Sequence, residues 1–322
     1  MCLRGIVFLF VGLLQVACSW SPRGIRSATV VPSRMMAITM HFEEAGSGSS
    51  AGLLERTRYI ATNRFNVRPG KDAQFEKRWA TRKSRLAKLD GFRFFSLLRK
   101  KSIEMGGTMD TDDSPNYISF TIWETKENFD SWRTGEAFKE AHGAGGIGDF
   151  LQLLTTALFI LKGKPNPAFY DAILPKIGAN ANEKDLNIVA NSAGWRDVPA
   201  DGENLVAPDI IVAQDRFSVK DESRKEFEDV WSKRETALSS FPGFVAFFMQ
   251  RRDATKADDS VNYIATSVWK DQQAYEGFKE AMMQKAAAGG GGGGGSTKDL
   301  LLAPPKIVLY EGKLALLSSQ GP

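Results

Sequence analysis

A run of residues near position 64 recurs near position 216, and this repetition limits the possible folds more than any other feature of the chain. Arg64, Phe65 and Val67 return as Arg216, Phe217 and Val219, 152 residues later. Phe75, Trp79, Arg82 and Leu86 return as Phe227, Trp231, Arg234 and Leu238, and Gly91, Phe92, Phe95 and Arg99 as Gly243, Phe244, Phe247 and Arg251. The register then slips across a loop. Asn116, Tyr117, Ile118 and Trp123 match Asn262, Tyr263, Ile264 and Trp269 at an offset of 146, and Tyr170 matches Tyr310 at 140. Matches that keep their order over a whole domain, with gaps confined to loops, mean duplication. Two copies are too few for a solenoid and suggest a fused pseudo-dimer.

The pattern of the first copy gives its elements. Residues 59–67 alternate as a strand. Pro69-Gly70 is a turn, with Asp72 near the start of a helix. Phe75, Trp79, Leu86 and Leu89 fall on one helical face, so that helix is expected to run through Leu89, where Gly91 ends it. Residues 92–99 form a second strand, 100–115 a polar hairpin loop and 117–124 a third strand. A helix over 126–133 follows. Thr134 is expected to N-cap a short helix over 136–142, and 168–174 is the last strand. The order β-α-β-β-α-β is ferredoxin-like, an α+β fold. The second copy repeats it over 210–219, 222–239, 244–251, 263–269, 272–285 and 306–316. The expected domains are 58–175 and 209–318, joined by a polar linker over 176–208 that is long enough to wrap one copy around the other.

Both cysteines, Cys2 and Cys18, lie ahead of the repeats, so the repeats hold no disulfide and no thiolate chemistry. The histidines are His41 and His142. The formal net charge is only +4, with no arginine stripe and no RNA-binding aromatic motif, which argues against nucleic acid as a partner. Residues 6–16 form an apolar run too short to span a bilayer comfortably, and Ala17-Cys18-Ser19 supplies the small residues of a signal-peptidase site. No Asp or Glu occurs before Glu43, while Arg23, Arg26 and Arg34 alternate with serines. A signal peptide over 1–19 followed by a transit-like, linker-ended segment over 20–57 resembles the bipartite leaders of algae with secondary plastids. Plastid import is one expectation and simple secretion the other, and no membrane attachment is expected once the leader is removed.

Two inserted segments differ between the copies. Residues 289–295 of the second are a glycine tract. The matching region of the first, 143–163, is apolar on nearly all sides from Phe150 to Leu161. It is expected as a buried helix that either lids a greasy ligand or packs between the copies.

The residues with chemical potential lie in the first copy. Thr62-Asn63-Arg64 opens it. Trp123-Glu124-Thr125-Lys126, Phe129, Trp132, Phe138 and Glu140-Ala141-His142 close its second half. This set resembles the antibiotic biosynthesis monooxygenase superfamily, and within it the heme-degrading monooxygenases of bacterial iron acquisition and their plastid relatives. The resemblance covers the first copy apart from residues 143–163. It implies a dimeric α+β barrel, with heme as both substrate and cofactor. It further implies that His142 is the axial ligand to the heme iron, that Trp132 presses on the porphyrin face, and that Asn63 donates a hydrogen bond on the oxygen-binding side. The ring opens oxidatively and iron is released. Electrons come from an external reductant, since the chain has no flavin or nicotinamide fingerprint. Arg64 and Arg99 are candidates for the heme propionates.

Each of these residues also has a plain structural explanation. Trp132, three after Phe129, has the spacing of a core stripe; His142, four after Phe138, fits a packed or surface histidine; Asn63 could simply end strand pairing. In the second copy Asp215 replaces Asn63. Its later helix aligns in two ways. One puts Gln272 and Met282 at the places of Trp132 and His142, and the other puts Phe278 and Ala288 there. Both leave no ligand, so the second copy is expected to be structural, with one heme per chain and a monomer made possible by the intrachain pairing. Two further functions compete: cofactor-free oxidation of a small aromatic or quinone-like substrate, with His142 as base, and a non-enzymatic heme-binding or structural module.

Overall fold

In the computed structural model the described residues are 52–80, 86–101, 115–141, 156–178, 189–190, 196–197, 210–234, 237–253, 260–288 and 297–317. Residues 1–51, which take in most of the expected leader, His142 and the glycine tract lie outside them. Repeat one contributes β1 (Arg58–Phe65), α1 (Asp72–Ala80), β2 (Phe92–Lys100), β3 (Tyr117–Trp123), α2 (Lys126–Thr134), α3 (Glu136–Ala141) and β4 (Asn166–Ile177). A two-residue ribbon, β5 (Val189–Ala190) with β6 (Arg196–Asp197), stands between the repeats. Repeat two contributes β7 (Ile211–Phe217), α4 (Arg224–Ser232), β8 (Phe244–Arg252), β9 (Tyr263–Trp269), α5 (Gln272–Ala287) and β10 (Lys306–Leu317).

The eight long strands close into one antiparallel barrel in the order β1-β3-β2-β10-β7-β9-β8-β4. Each repeat alone would be an open sheet with two unpaired edges, which is a liability for any β-protein. The crossings β2–β10 and β4–β8 remove all four edges. Both last strands are 12 residues long and outrun the alternation that reveals them in sequence, because each must pair with its own first strand and with the other repeat.

Strand alternation sorts side chains into three layers. Ile60, Ile118, Phe120, Tyr170, Val212, Phe248, Ile264 and Tyr310 point into the barrel and form a core drawn from both repeats. The opposite faces pack under helices as two separate aromatic layers, one per repeat. The duplicated residues take duplicate positions. Asn116 accepts from the Val67 amide at 2.7 Å and donates to its carbonyl, and Asn262 clamps Val219 the same way. Arg99 pairs with Glu76 of its own repeat and Glu311 of the other. Arg251 pairs with Glu228 and, across the junction, Asp171.

Three sequence expectations need correction. The first helix of each repeat does not continue as α-helix to the end of its apolar spacing: α4 ends at Ser232, and in repeat one, where 81–85 lie outside the described residues, Leu86–Lys88 form a tight 3-10 turn. Single turns at Leu86–Lys88 and Ala237–Ser240 bring the remaining apolar residues to the same layers. Periodicity records which side chains reach the core, and a broken helix can deliver them as well as a continuous one. Thr134 does not cap α3. It is the last residue of α2, and its hydroxyl donates to the Asp130 carbonyl four residues back at 3.0 Å. The cap in this region is Thr125, whose hydroxyl oxygen accepts from the Asn128 amide at the start of α2. Finally, of the apolar run from Phe150 to Leu161, 150–155 lie outside the described residues, and the described part is not buried all round. It is a π-helical turn at Thr156–Ile160, with Leu158 and Phe159 exposed to solvent (56% and 64%). Ile160 and Leu161 join the aromatic layer, Leu161 through a bridge to Val67.

Candidate active site

The outward face of β1 presents Tyr59, Ala61, Asn63 and Phe65 in one row. Three of them are buried in the helix-covered layer of repeat one, which places Asn63 in the same row. Its strand neighbours are Ser119 on β3 and Pro167 on β4. The Asn63 Oδ1 atom is buried without a hydrogen-bond partner, and the amide makes no hydrogen bond among the described residues. A buried amide oxygen left unpaired costs about 1–3 kcal/mol. Strand termination therefore does not explain Asn63, because β1 continues through it to Phe65 with pairing on both sides.

Trp132 sits near the end of α2, half-buried in the same layer. It packs on Trp123 at 5.4 Å, on Phe129 at 5.7 Å and edge-on to Phe138 of α3 at 5.0 Å. It thus serves as a core residue, as its spacing suggests, and also links the sheet to α3. The chain leaves the helical conformation at Gly135, between α2 and α3. The third residue of the set, His142, lies outside the described residues. It follows Ala141, the last residue of α3, directly in sequence.

The structure also brings in residues that pattern reading missed. The Tyr59 hydroxyl donates to Asp253 at 2.8 Å, and Lys126 pairs with the same carboxylate at 2.9 Å. Tyr59 lies parallel to Phe169 and tilted against Phe129. Burial, and then the Asp253 charge, push the Tyr59 phenol far above its ordinary value, so it remains a neutral donor. Asp253 follows β8 of repeat two, so the second repeat completes the wall of the first. No local signal marks Asp253, because only the barrel crossing brings it to Tyr59. Arg99, a candidate for a ligand's acidic groups, is instead committed to Glu76 and Glu311. Arg64 is exposed enough to meet solvent and donates to the Asn166 carbonyl at 3.3 Å.

Ring geometry settles the ambiguous alignment of the second repeat. Phe278 lies on Trp269 at 4.9 Å and 35°, as Trp132 lies on Trp123 at 5.4 Å and 30°. Tyr275 meets Trp269 at 5.9 Å and 66°, as Phe129 meets Trp123 at 6.0 Å and 69°. Phe278 is therefore the counterpart of Trp132 and Tyr275 that of Phe129. Carried on at the same offset, His142 corresponds to Ala288. The helix α5 runs unbroken through 16 residues where repeat one has α2, Gly135 and α3.

The model of the antibiotic biosynthesis monooxygenase family matches the chain twice, at residues 58–144 and 210–289, and the chain belongs to that family. Membership makes it an oxidoreductase of the monooxygenase type. A curated relative, the staphylobilin-producing heme oxygenase of Staphylococcus haemolyticus, is 30% identical over 84 residues, which cover 26% of this chain and 72% of the relative. Among solved structures, a candidate monooxygenase from Fusobacterium nucleatum aligns with a TM-score of 0.49 at 12% identity, covering 84% of this chain and 98% of that one. An anthrone oxidase-like protein aligns with a TM-score of 0.47 at 16% identity, covering 83% and 95%.

Proposed function

We propose that repeat one binds heme as its substrate and opens the porphyrin ring oxidatively with release of iron, using dioxygen and an external electron donor. The observation that carries this reading is the buried, unpartnered Oδ1 of Asn63, in the outward row of β1 whose other members join the aromatic layer that also takes in Trp132. A flat, greasy ligand with a polar centre matches such a layer, because the aromatic rings accept its face while the amide hydrogen-bonds near its centre. The 30% identical heme oxygenase supports the same reading. Heme bound there supplies both the ring to be opened and the iron that activates oxygen.

In this proposal His142 holds the iron through a neutral imidazole nitrogen. Trp132, backed by Trp123 and Phe129, would offer a braced aromatic surface for the porphyrin to pack against. Asn63, whose amide is otherwise unused, would supply a hydrogen-bond donor to the bound substrate. Tyr59, held by Asp253, and Phe169 close the apolar wall and exclude water. The barrel provides the pairing that separate subunits would otherwise supply, so we propose one heme per chain in a monomer. We further propose a plastid location, with secretion as the alternative; fusing residues 1–57 to a fluorescent protein tests this.

A hemin titration tests the function, with wild type beside His142→Ala and ascorbate added in air afterwards. The expected result is a saturable Soret band at one heme per chain, shifted or lost in the variant and bleaching with reductant. A stable band that does not bleach would reduce the protein to a heme-binding module. Absence of a specific band would remove heme altogether and leave cofactor-free oxidation or a structural role.

A further inference from the structure

The turn at Thr156–Ile160 holds two large apolar side chains, Leu158 and Phe159, out in solvent. Hydrogen bonds fix what lies beside it. The Arg68 amide donates to the Ile160 carbonyl at 2.8 Å, the Arg68 Nε to the Leu161 carbonyl at 3.0 Å, and the Lys162 amide to the Asn66 carbonyl at 2.7 Å. These bonds bring the loop after β1, with Arg68 and Lys71, against residues 158–164. Arg68, Lys162 and Lys164 are exposed and Lys71 is half-buried. Among the described residues none of these four cations meets a carboxylate. Residues 156–164 contain no Asp or Glu. The acids of α1 are engaged elsewhere: Asp72 accepts from the Tyr117 hydroxyl, and Glu76 accepts from it and pairs with Arg99.

Repeat two builds the same frame without this patch. Leu301 bridges Val219 as Leu161 bridges Val67, and the Lys220 amide donates to the Leu300 carbonyl as the Arg68 amide does to that of Ile160. In that register Lys298 and Asp299 stand where repeat one has Leu158 and Phe159. The turn therefore folds without apolar residues at these two places. Repeat two exposes one leucine nearby, Leu302, in the place of Lys162. An apolar pair held in water beside four cations needs a partner that takes up both kinds of group.

We infer that this face of repeat one docks on an anionic phospholipid bilayer, with Leu158 and Phe159 entering the boundary between headgroups and acyl chains and Arg68, Lys71, Lys162 and Lys164 meeting the lipid phosphates. Two apolar side chains are too few for a stable protein interface, which buries about 800 Å² per partner, but they suffice to wedge between headgroups. The cations then select a negatively charged surface. No described helix is long and apolar enough to cross a membrane, and the contact is a surface one. It departs from the expectation of no membrane attachment because the apolar run reads in sequence as a buried helix, and only the tertiary structure exposes Leu158 and Phe159. Ile160 and Leu161 continue the turn into the aromatic layer, so docking sets that layer beside the bilayer.

Vesicle co-sedimentation tests this, on the whole chain and on Ala45–Pro322, the compact unit that holds every described element, so that binding by Met1–Glu44 is separated from binding by the patch. The vesicles are equimolar phosphatidylglycerol and phosphatidylcholine, with phosphatidylcholine alone as control. The expected result is saturable binding of Ala45–Pro322 to the anionic vesicles, about tenfold weaker to the control vesicles and weakened by salt. The double variant Leu158→Ser/Phe159→Ser should bind about tenfold more weakly. Lys162→Gln/Lys164→Gln should lose roughly fivefold per lysine. Leu302→Ser in repeat two should bind as wild type, and all three variants should melt with it. No binding to the anionic vesicles, equal binding to both kinds, undiminished binding by either double variant, or an equal loss with Leu302→Ser would each overturn the inference. A lower melting temperature for the serine variant would also overturn it, by showing that the two side chains pack on the protein. So would a concentration-dependent dimer in sedimentation velocity that the serine variant loses, which would assign the patch to a second copy of the chain.

Discussion

Replacing Arg251 with methionine should destabilise the protein far more than the same change at its repeat counterpart Arg99. The two arginines make corresponding contacts in different surroundings. Arg251 is 5% exposed, and its guanidinium meets Glu228 at 3.1 Å, Asp171 at 2.8 Å and the Leu54 carbonyl at 2.9 Å. Glu228 is 1% exposed and also accepts from the Tyr263 hydroxyl and the Leu54 amide. Removing the arginine leaves the Glu228 charge buried without its counter-ion, an effect of about 3–5 kcal/mol. The Arg99 side chain is 33% exposed and its partners Glu76 and Glu311 are 26% and 19% exposed. Water can screen what is left after Arg99→Met, so the expected loss is about 1 kcal/mol. Urea unfolding of wild type and both variants, with the denaturant dependence compared for equality, measures the difference. Adding Glu228→Gln to Arg251→Met should recover part of the loss, since glutamine removes the uncompensated charge, its oxygen can still accept from the Leu54 amide and its NH2 can donate to the Tyr263 hydroxyl oxygen. Equal losses at Arg99 and Arg251, or no recovery in the double variant, would refute the argument from burial.

The Asp215 carboxyl is raised from 3.8 to about 6, so the folded state holds its proton more tightly than the unfolded state. Its contribution therefore favours folding at low pH and is lost as pH rises from about 4 to about 6, by roughly 1–3 kcal/mol; the stability difference between Asp215→Asn and wild type should grow over that window in urea titrations, and a flat difference would contradict it. Gly243→Ala should cost more than Gly91→Ala. Both glycines have positive φ, but a new Cβ at 243 meets the Ala274 Cβ at 2.4 Å, whereas at 91 it meets only the end of the Asn128 side chain, which can turn away. Thermal melting of the two variants compares them directly. Asn63→Ala should retain hemin binding but slow ascorbate-driven bleaching about a hundredfold, the usual effect of losing one donor to developing charge; an unchanged bleaching rate would remove Asn63 from the chemistry.

The duplication, the ferredoxin-like order of elements and the family were all legible in the chain, because each is written in local spacing. Strand alternation, the matched Asn116 and Asn262, and the aromatic run from Phe129 to Phe138 follow from neighbours within a few residues. Helix breaks were not legible, since Leu86 and Leu238 reach their layers from separate turns as readily as from one long helix. Nor was the environment of Trp132, whose spacing fits both a core residue and a ligand wall. The closure of eight strands into one barrel depends on β10 finding β2 and on β4 finding β8, pairings between segments far apart in the chain. That closure brings Asp253 to Tyr59, and the segment at Leu54, which precedes the first strand, reaches Arg251 and Glu228. The sequence by itself determined which residues could form each repeat and which types could act. Tertiary structure decided which polar atoms were left without partners, because hydrogen bonding and desolvation depend on what the fold brings within a few ångströms.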